Sequence, residues 1–329
     1  MSNAVTVDVT SKSISLPRNV QAYVPLADKN WFSTGGNARY FAEPTSAQEL
    51  QSALSFAHVH NLEIFVLGQG ANILVSDAGF NGIVIRPALR DMTHAGEGND
   101  QVAVTAGAGV TMDELITYCL AHNILGLEEF SGIPGTVGGS VYINLHYFEF
   151  LLSDFLVQAQ VVEKKTGTLL SVDNAWFKFG YNQSTLLEET YYLVSAVFAL
   201  KKGTEIETAY AQGRRSEIIR HRIKRYPATH TCGSFFRNFH EHEVDLLSNG
   251  KKMTFVAYYL DKIGVKGNLS QGDAIVSYQH ANMIVNKGAA TSADIIMLAR
   301  TMQELVKQQF HIIPQPECRL IGFQEYPLL

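Results

Sequence analysis

Two glycine-rich segments, each set beside an apolar or acidic run, constrain this chain more than any other feature. The first is Leu67-Gly-Gln-Gly-Ala-Asn-Ile-Leu-Val-Ser-Asp77, which follows the apolar run Glu63-Ile-Phe-Val-Leu67. The second is Ser131-Gly-Ile-Pro-Gly-Thr-Val-Gly-Gly-Ser140, preceded by Glu128 and Glu129. Glycine accepts backbone angles that other residues avoid, and it lets a ligand approach the main chain closely. Such a loop offers backbone N–H groups instead of side chains, and successive N–H groups form a nest for anions. One such loop is often a plain tight turn. Two of them at strand ends point to a large phosphate-bearing ligand held from two sides.

The chain has 329 residues, 46% hydrophobic and 17% charged, which is enough for two or three domains with a sizeable core. No apolar run reaches the roughly 18 residues of a membrane span. The first ten residues lack the basic start and apolar centre of a signal peptide. A formal charge of −5 without a basic tail argues against nucleic acid as a partner. Cys119, Cys232 and Cys318 are scattered, which fits a reducing cytoplasm better than a disulfide framework.

Residues 1–18 read as a flexible polar arm. Ser46 and Glu49 form a capping box ahead of a helix carrying Leu50, Leu54 and Ala57, and Thr111 with Glu114 starts a second helix running to about His122. Strands are expected at 63–67, 82–86, 101–105 and 191–198, with a hairpin of 157–162 and 167–172 around Lys164–Gly167. A charged helix spans 205–225, and Pro227 stops it. Its arginines read first as a solvated face, and second as an attraction for an anionic substrate. Helices near 255–263 and 292–310 and strands at 282–285 and 318–322 complete a mixed α+β pattern with a boundary near 203. His230, Cys232, His240 and His242 have spacings that could ligate a metal, but no metal is expected. Cys318 reads as a buried apolar residue more readily than as a reactive thiol.

Several ordered motifs then carry a resemblance. Trp31-Phe-Ser-Thr-Gly-Gly-Asn-Ala38, the two glycine loops, Phe179-Gly-Tyr-Asn-Gln-Ser184, Cys232-Gly-Ser-Phe-Phe-Arg-Asn238, the segment 276–286 and Pro316-Glu-Cys-Arg-Leu-Ile-Gly322 follow one another as in the UDP-N-acetylenolpyruvoylglucosamine reductase family. The chain resembles that family from about Asn30 to Phe323. The resemblance implies an α+β fold with two FAD-binding subdomains, at 19–90 and 91–203, and a C-terminal substrate domain at 204–329. It implies non-covalent FAD, because Gly70-Ala71-Asn72 offers no nucleophile where related flavoproteins attach the cofactor through histidine. It implies NADPH as reductant, and a UDP-sugar enolpyruvyl ether as substrate in peptidoglycan precursor synthesis.

Carried over residue by residue, the resemblance places FAD against Gly68, Gln69, Gly70, Ala71, Asn72, Ile73 and Ser76 of the first loop. From the second loop it adds Ile133, Pro134, Gly135, Thr136, Gly138, Gly139 and Ser140. Ser234 matches the proton-donating serine and Glu317 the active-site glutamate, while Tyr181, Arg237 and Asn238 match the substrate cleft. Two departures stand out. Asn182 occupies the position of an arginine that polarises the substrate carboxylate. Asn144-Leu-His-Tyr-Phe-Glu-Phe-Leu-Leu152 replaces a run of small residues beside the flavin. These departures leave two alternatives open: a flavoenzyme of the same fold acting on another nucleotide-sugar or carboxylate, or a flavin-binding homologue without catalysis.

Overall fold

The computed structural model describes residues 15–96 and 100–329. Most of the expected flexible arm at 1–18 lies outside the described residues. Strands Val20–Pro25, Asn37–Ala42, Phe80–Ile85 and Ile64–Val66 lie side by side in that order. The first pair is antiparallel and the others are parallel. Helix Ala47–Val59 covers this sheet with Leu50, Ala53, Leu54, Phe56 and Ala57, all buried. Its start differs from expectation. Ser46 Oγ accepts from Glu49 N as a cap should, but the Glu49 carboxylate turns back to Thr45 N and Oγ1, at 2.8 and 2.9 Å. Helix Met112–Ala121 shows the reciprocal box as expected, between Thr111 and Glu114.

A second sheet is antiparallel throughout. It runs Leu169–Asp173, Leu156–Glu163, Tyr191–Lys202, Gln101–Gly107, Met92–Gly96, and Ile124–Leu125 pairs with the far end of Tyr191–Lys202. One continuous hydrophobic cluster joins it to the first helix and to Ile83 and Ile85 of the first sheet. A separate cluster forms around helices Val256–Lys262 and Ser292–Phe310 and the short strands 270–271, 274–276 and 284–286.

Before Leu328 packs into the C-terminal cluster, the chain leaves it once. Strand Arg319–Ile321 leaves the C-terminal cluster and pairs in parallel with Ile73–Val75, in the register Arg319↔Ile73. It therefore lies directly beyond the first glycine loop. A division at 204–329 read from sequence misses this return, because nothing in the local pattern of 318–322 says which strand it will join.

Helix Glu205–Arg225 has the expected bounds and a reciprocal Thr204–Glu207 box. Its arginines are not simply solvated. Arg214 forks onto Glu129 at 2.8 and 2.9 Å, and Arg215 reaches Asp113 at 2.7 Å and Thr117 at 2.9 Å. Exposed pairs of this kind each contribute about 0–1 kcal/mol, so their main effect is to orient the helix. That orientation turns Arg222 inward.

Candidate active site

One cavity of about 650 Å³ lies between the two glycine loops, the end of the arginine helix, the serine motif and the returning C-terminal strand. The two loops touch each other. Gly135 N donates to Gln69 Oε1 at 2.8 Å. A Cβ on Gly68 would stand 2.9 Å from Thr136 Oγ1. Gly70 is needed for its conformation as well as its size. It has φ +66°, and a Cβ there would meet Asn30 Cα and Lys29 O at 2.6 Å. Asn30 itself is tied to Leu26 O and Thr34 O, so the Trp31–Ala38 motif forms the backing of the first loop.

All the expected cofactor residues except one line this cavity. Ser76 does not. Its hydroxyl accepts from Ala78 N at 3.2 Å and its N–H donates to Ile321 O, so it ties the returning strand to the loop from behind. Three wall residues carry buried polar atoms with no protein partner: Asn72 Oδ1, Tyr192 OH and Thr231 Oγ1. A buried polar atom without a partner costs about 1–3 kcal/mol. Such atoms on a cavity wall fit a ligand that supplies the missing hydrogen bonds.

The same cavity wall carries Tyr181, Asn182, Ser234, Asn238 and Glu317. The serine turn is clamped immediately after Ser234. Phe235 N donates to Asn282 O, the Asn282 side chain bonds both Phe236 N and Phe236 O, and Glu317 N donates to Phe235 O at 2.8 Å. Glu317 reaches this point through the returning strand: Arg319 N donates to Asn72 O, and Asn72 Nδ2 to Glu317 O. Burial pushes the Glu317 carboxyl up to about 7 from an ordinary 4.5. At neutral pH it is therefore divided between acid and carboxylate. The Tyr181 ring packs on His146 at 4.7 Å between centroids, and Asn238 Oδ1 accepts from Val256 N at 3.3 Å.

Arg237 departs from expectation. It is not on the cavity wall; its guanidinium forks onto Glu243, with both bonds at 2.7 Å. Asn182 does face the cavity and has φ +52°, a left-handed conformation that asparagine tolerates well. The altered segment repacks as a small hairpin, His146–Tyr147 against Phe150–Leu151, with Phe148 at its tip and Leu145 and Leu152 buried beneath. His146, Tyr147 and Phe148 thereby join the wall. Burial lowers the His146 imidazole below its ordinary range, so it is neutral at pH 7 and does not replace the charge missing at Asn182.

Two arginines on the wall have no site role in the sequence: Arg222 of the charged helix and Arg319 inside the Pro316–Gly322 motif. Arg222 donates from Nε to Gly132 O at 3.0 Å and lies against the Tyr147 and Tyr226 rings. Arg319 pairs with Glu189 at 2.6 Å and lies over Phe65 and Tyr142. The strand period of two gives a signal for Arg319, because it puts that residue on the same side as Glu317. Of the candidate metal ligands, His230, His240 and His242 are not on the wall with Cys232. Among the described residues, no three His, Cys, Asp or Glu side chains are grouped to hold a metal ion.

The FAD binding domain family matches residues 38–173, and the C-terminal domain family of UDP-N-acetylenolpyruvoylglucosamine reductase matches residues 225–321. The chain is 33% identical to the UDP-N-acetylenolpyruvoylglucosamine reductase of a Synechococcus strain, over the whole of both chains. It is 32% identical to that of Chlamydia muridarum, covering 94% of this chain and 97% of the relative. The solved UDP-N-acetylenolpyruvylglucosamine reductase of Thermus caldophilus superimposes with a TM-score of 0.73 at 27% identity, covering 92% of this chain and 99% of that one. With sequence similarity running the full length and the same fold, the chain belongs to the UDP-N-acetylenolpyruvoylglucosamine reductase family.

Proposed function

We propose that this cavity reduces the enolpyruvyl ether of UDP-N-acetylglucosamine in peptidoglycan precursor synthesis, using FAD and NADPH. The protein is an FAD-dependent oxidoreductase by family. The observation that carries the reading to this site is the return of strand Arg319–Ile321 onto Ile73–Val75. That pairing puts Glu317 in one cavity with both glycine loops and with Ser234. The first loop would hold the pyrophosphate through the backbone N–H groups of Gly68–Asn72, with the second loop closing the other side. Asn72, Thr231 and Tyr192 have the unpaired atoms to bond the rest of the cofactor. No nucleophile stands at Gly70–Asn72, which supports non-covalent attachment.

FAD held there would supply the hydride that NADPH provides. The chain supplies the rest. Ser234 gives the proton to C2, held in place by the Asn282 clamp. Glu317, when protonated, donates a hydrogen bond towards the charge that builds on the substrate carboxylate. Asn182 donates there as a neutral amide in place of a guanidinium. Tyr181 and Asn238, both on the cavity wall, orient the sugar side of the substrate. Arg237 holds the segment carrying Asn238 through its fork to Glu243.

Asn182 and the aromatic hairpin at 146–151 favour a second reading, in which the same fold acts on another nucleotide-sugar or carboxylate. Steady-state consumption of NADPH with the UDP-sugar enolpyruvyl ether separates the two. Turnover that requires that substrate supports the first. Flavin reduction by NADPH with no reoxidation by that substrate supports the second.

A further inference from the structure

Cys232 and Cys318 are brought together beside the two residues expected to do the chemistry. Cys232 stands two residues before Ser234 and lines the cavity, and Cys318 follows Glu317. Both side chains are buried and belong to the same hydrophobic cluster. Their segments are joined by a bridge between Phe236 and Pro316, and Phe235 O accepts from both Glu317 N and Cys318 N, at 2.8 and 3.2 Å. Gly233, at φ +77°, turns the chain between Cys232 and Ser234. Neither thiol has a strong partner: Cys232 Sγ lies 3.9 Å from Gly233 O, and Cys318 Sγ lies 3.9 Å from Arg319 O. Cys119 lies in the other core, among a different set of side chains.

We propose that Cys232 and Cys318 are an oxidative modification site, an active-site dithiol that closes to a reversible intramolecular disulfide with a hydroperoxide as oxidant. Cys232 reacts first because it faces the cavity, whereas Cys318 is enclosed. Its sulfur attacks one oxygen of hydrogen peroxide, the O–O bond breaks, and sulfenic acid and one water result. The Cys318 sulfur then attacks the Cys232 sulfur, the S–O bond breaks, and a second water leaves. Two thiols lose two electrons and two protons, and the peroxide is reduced to two waters. Burial, then the neighbouring Cys232 and Glu317, hold the Cys318 thiol protonated, so Cys318 does not initiate; in the second step its proton leaves with the hydroxyl as water. Closing thiol contact to an S–S bond of ~2.0 Å draws the Ser234 turn towards Glu317, so oxidation changes the spacing of the reacting groups. A thiol reductant reverses the bond and restores that spacing.

The test is made on the flavin-loaded full-length protein with stoichiometric hydrogen peroxide, followed by denaturation in an alkylating reagent and peptide mapping by mass. The expected product is one cross-linked peptide pair containing Cys232 and Cys318, two hydrogens lighter than the thiols. Free thiols fall from three to one, the remaining one being Cys119. Dithiothreitol should return all three. In Cys318→Ser, Cys232 should be trapped as sulfenic acid by dimedone and go on to sulfinic acid. Cys119→Ala should leave the cross-link intact. Overoxidation of Cys232 in the unmutated protein with Cys318 still free would overturn the proposal. So would oxidation of Cys119 ahead of Cys232, or persistence of three free thiols. The wild-type map decides the matter even if the serine variant does not fold.

Discussion

Glu317 should destabilise the folded chain as pH rises, and Glu317→Gln should remove that effect. Its carboxyl is pushed up to about 7 by burial, from 4.5 in the unfolded chain. A group whose folded value is raised contributes stability that is full below the unfolded value and is lost as pH climbs through the folded one. The loss therefore runs from about pH 4.5 to about pH 7 and is flat above. The gap between the two values corresponds to about 3 kcal/mol. Glutamine has the same shape and keeps a donor, but it has no charge to bury. The assay is the urea-denaturation free energy of both proteins, free of flavin, at pH 5, 6, 7 and 8. Other carboxylates titrate equally in both, so the difference isolates residue 317. The stability of the glutamine variant relative to wild type should rise by about 2 to 3 kcal/mol between pH 5 and pH 8. Parallel pH curves would refute the raised carboxyl and, with it, the role of Glu317 as an acid near neutrality. The variant should also lose turnover, by less than the roughly 10²–10³-fold of a deleted donor, because its amide still donates to the substrate carboxylate but more weakly than a carboxylic acid.

Ser234→Ala should slow reoxidation of the flavin by substrate, while reduction by NADPH stays nearly unchanged in rapid mixing; equal losses in both halves would mean a structural role. Asn182→Arg should raise turnover of the enolpyruvyl substrate about 10-fold if a charge is all that is missing. No gain at an unchanged melting temperature would shift the weight to a different substrate for the aromatic hairpin. Gly70→Ala should cost about 2 kcal/mol or more in stability and release FAD. It forces a side chain into a left-handed position with backbone atoms 2.6 Å away, and an unchanged melting temperature with retained flavin would contradict the loop geometry.

The parts of this fold legible in the sequence are those with local causes. The Thr111 cap, the bounds of 205–225 and the hairpin around Lys164–Gly167 follow from residues within a turn or two of each other. The motifs also marked most of the cavity wall. What stayed hidden depends on distant partners. Asn72 and Glu317 are 245 positions apart, and only the parallel pairing of the last strand joins them. Arg237 sits within a cleft motif, yet Glu243 six residues on claims its guanidinium. Arg222 looked like one of several surface arginines until the pairs at Arg214 and Arg215 fixed the rotation of the helix. The 145–152 segment carried a warning in its bulky residues, but not the hairpin that places His146 on Tyr181.

The most direct measurement is anaerobic. The protein is loaded with FAD, reduced by one equivalent of NADPH, and mixed with the enolpyruvyl ether of UDP-N-acetylglucosamine while the flavin absorbance is followed. The proposed function requires the flavin band to bleach with NADPH and to return when the substrate is added, with one reduced sugar product formed per flavin reoxidised. A band that bleaches and stays bleached with that substrate would contradict it.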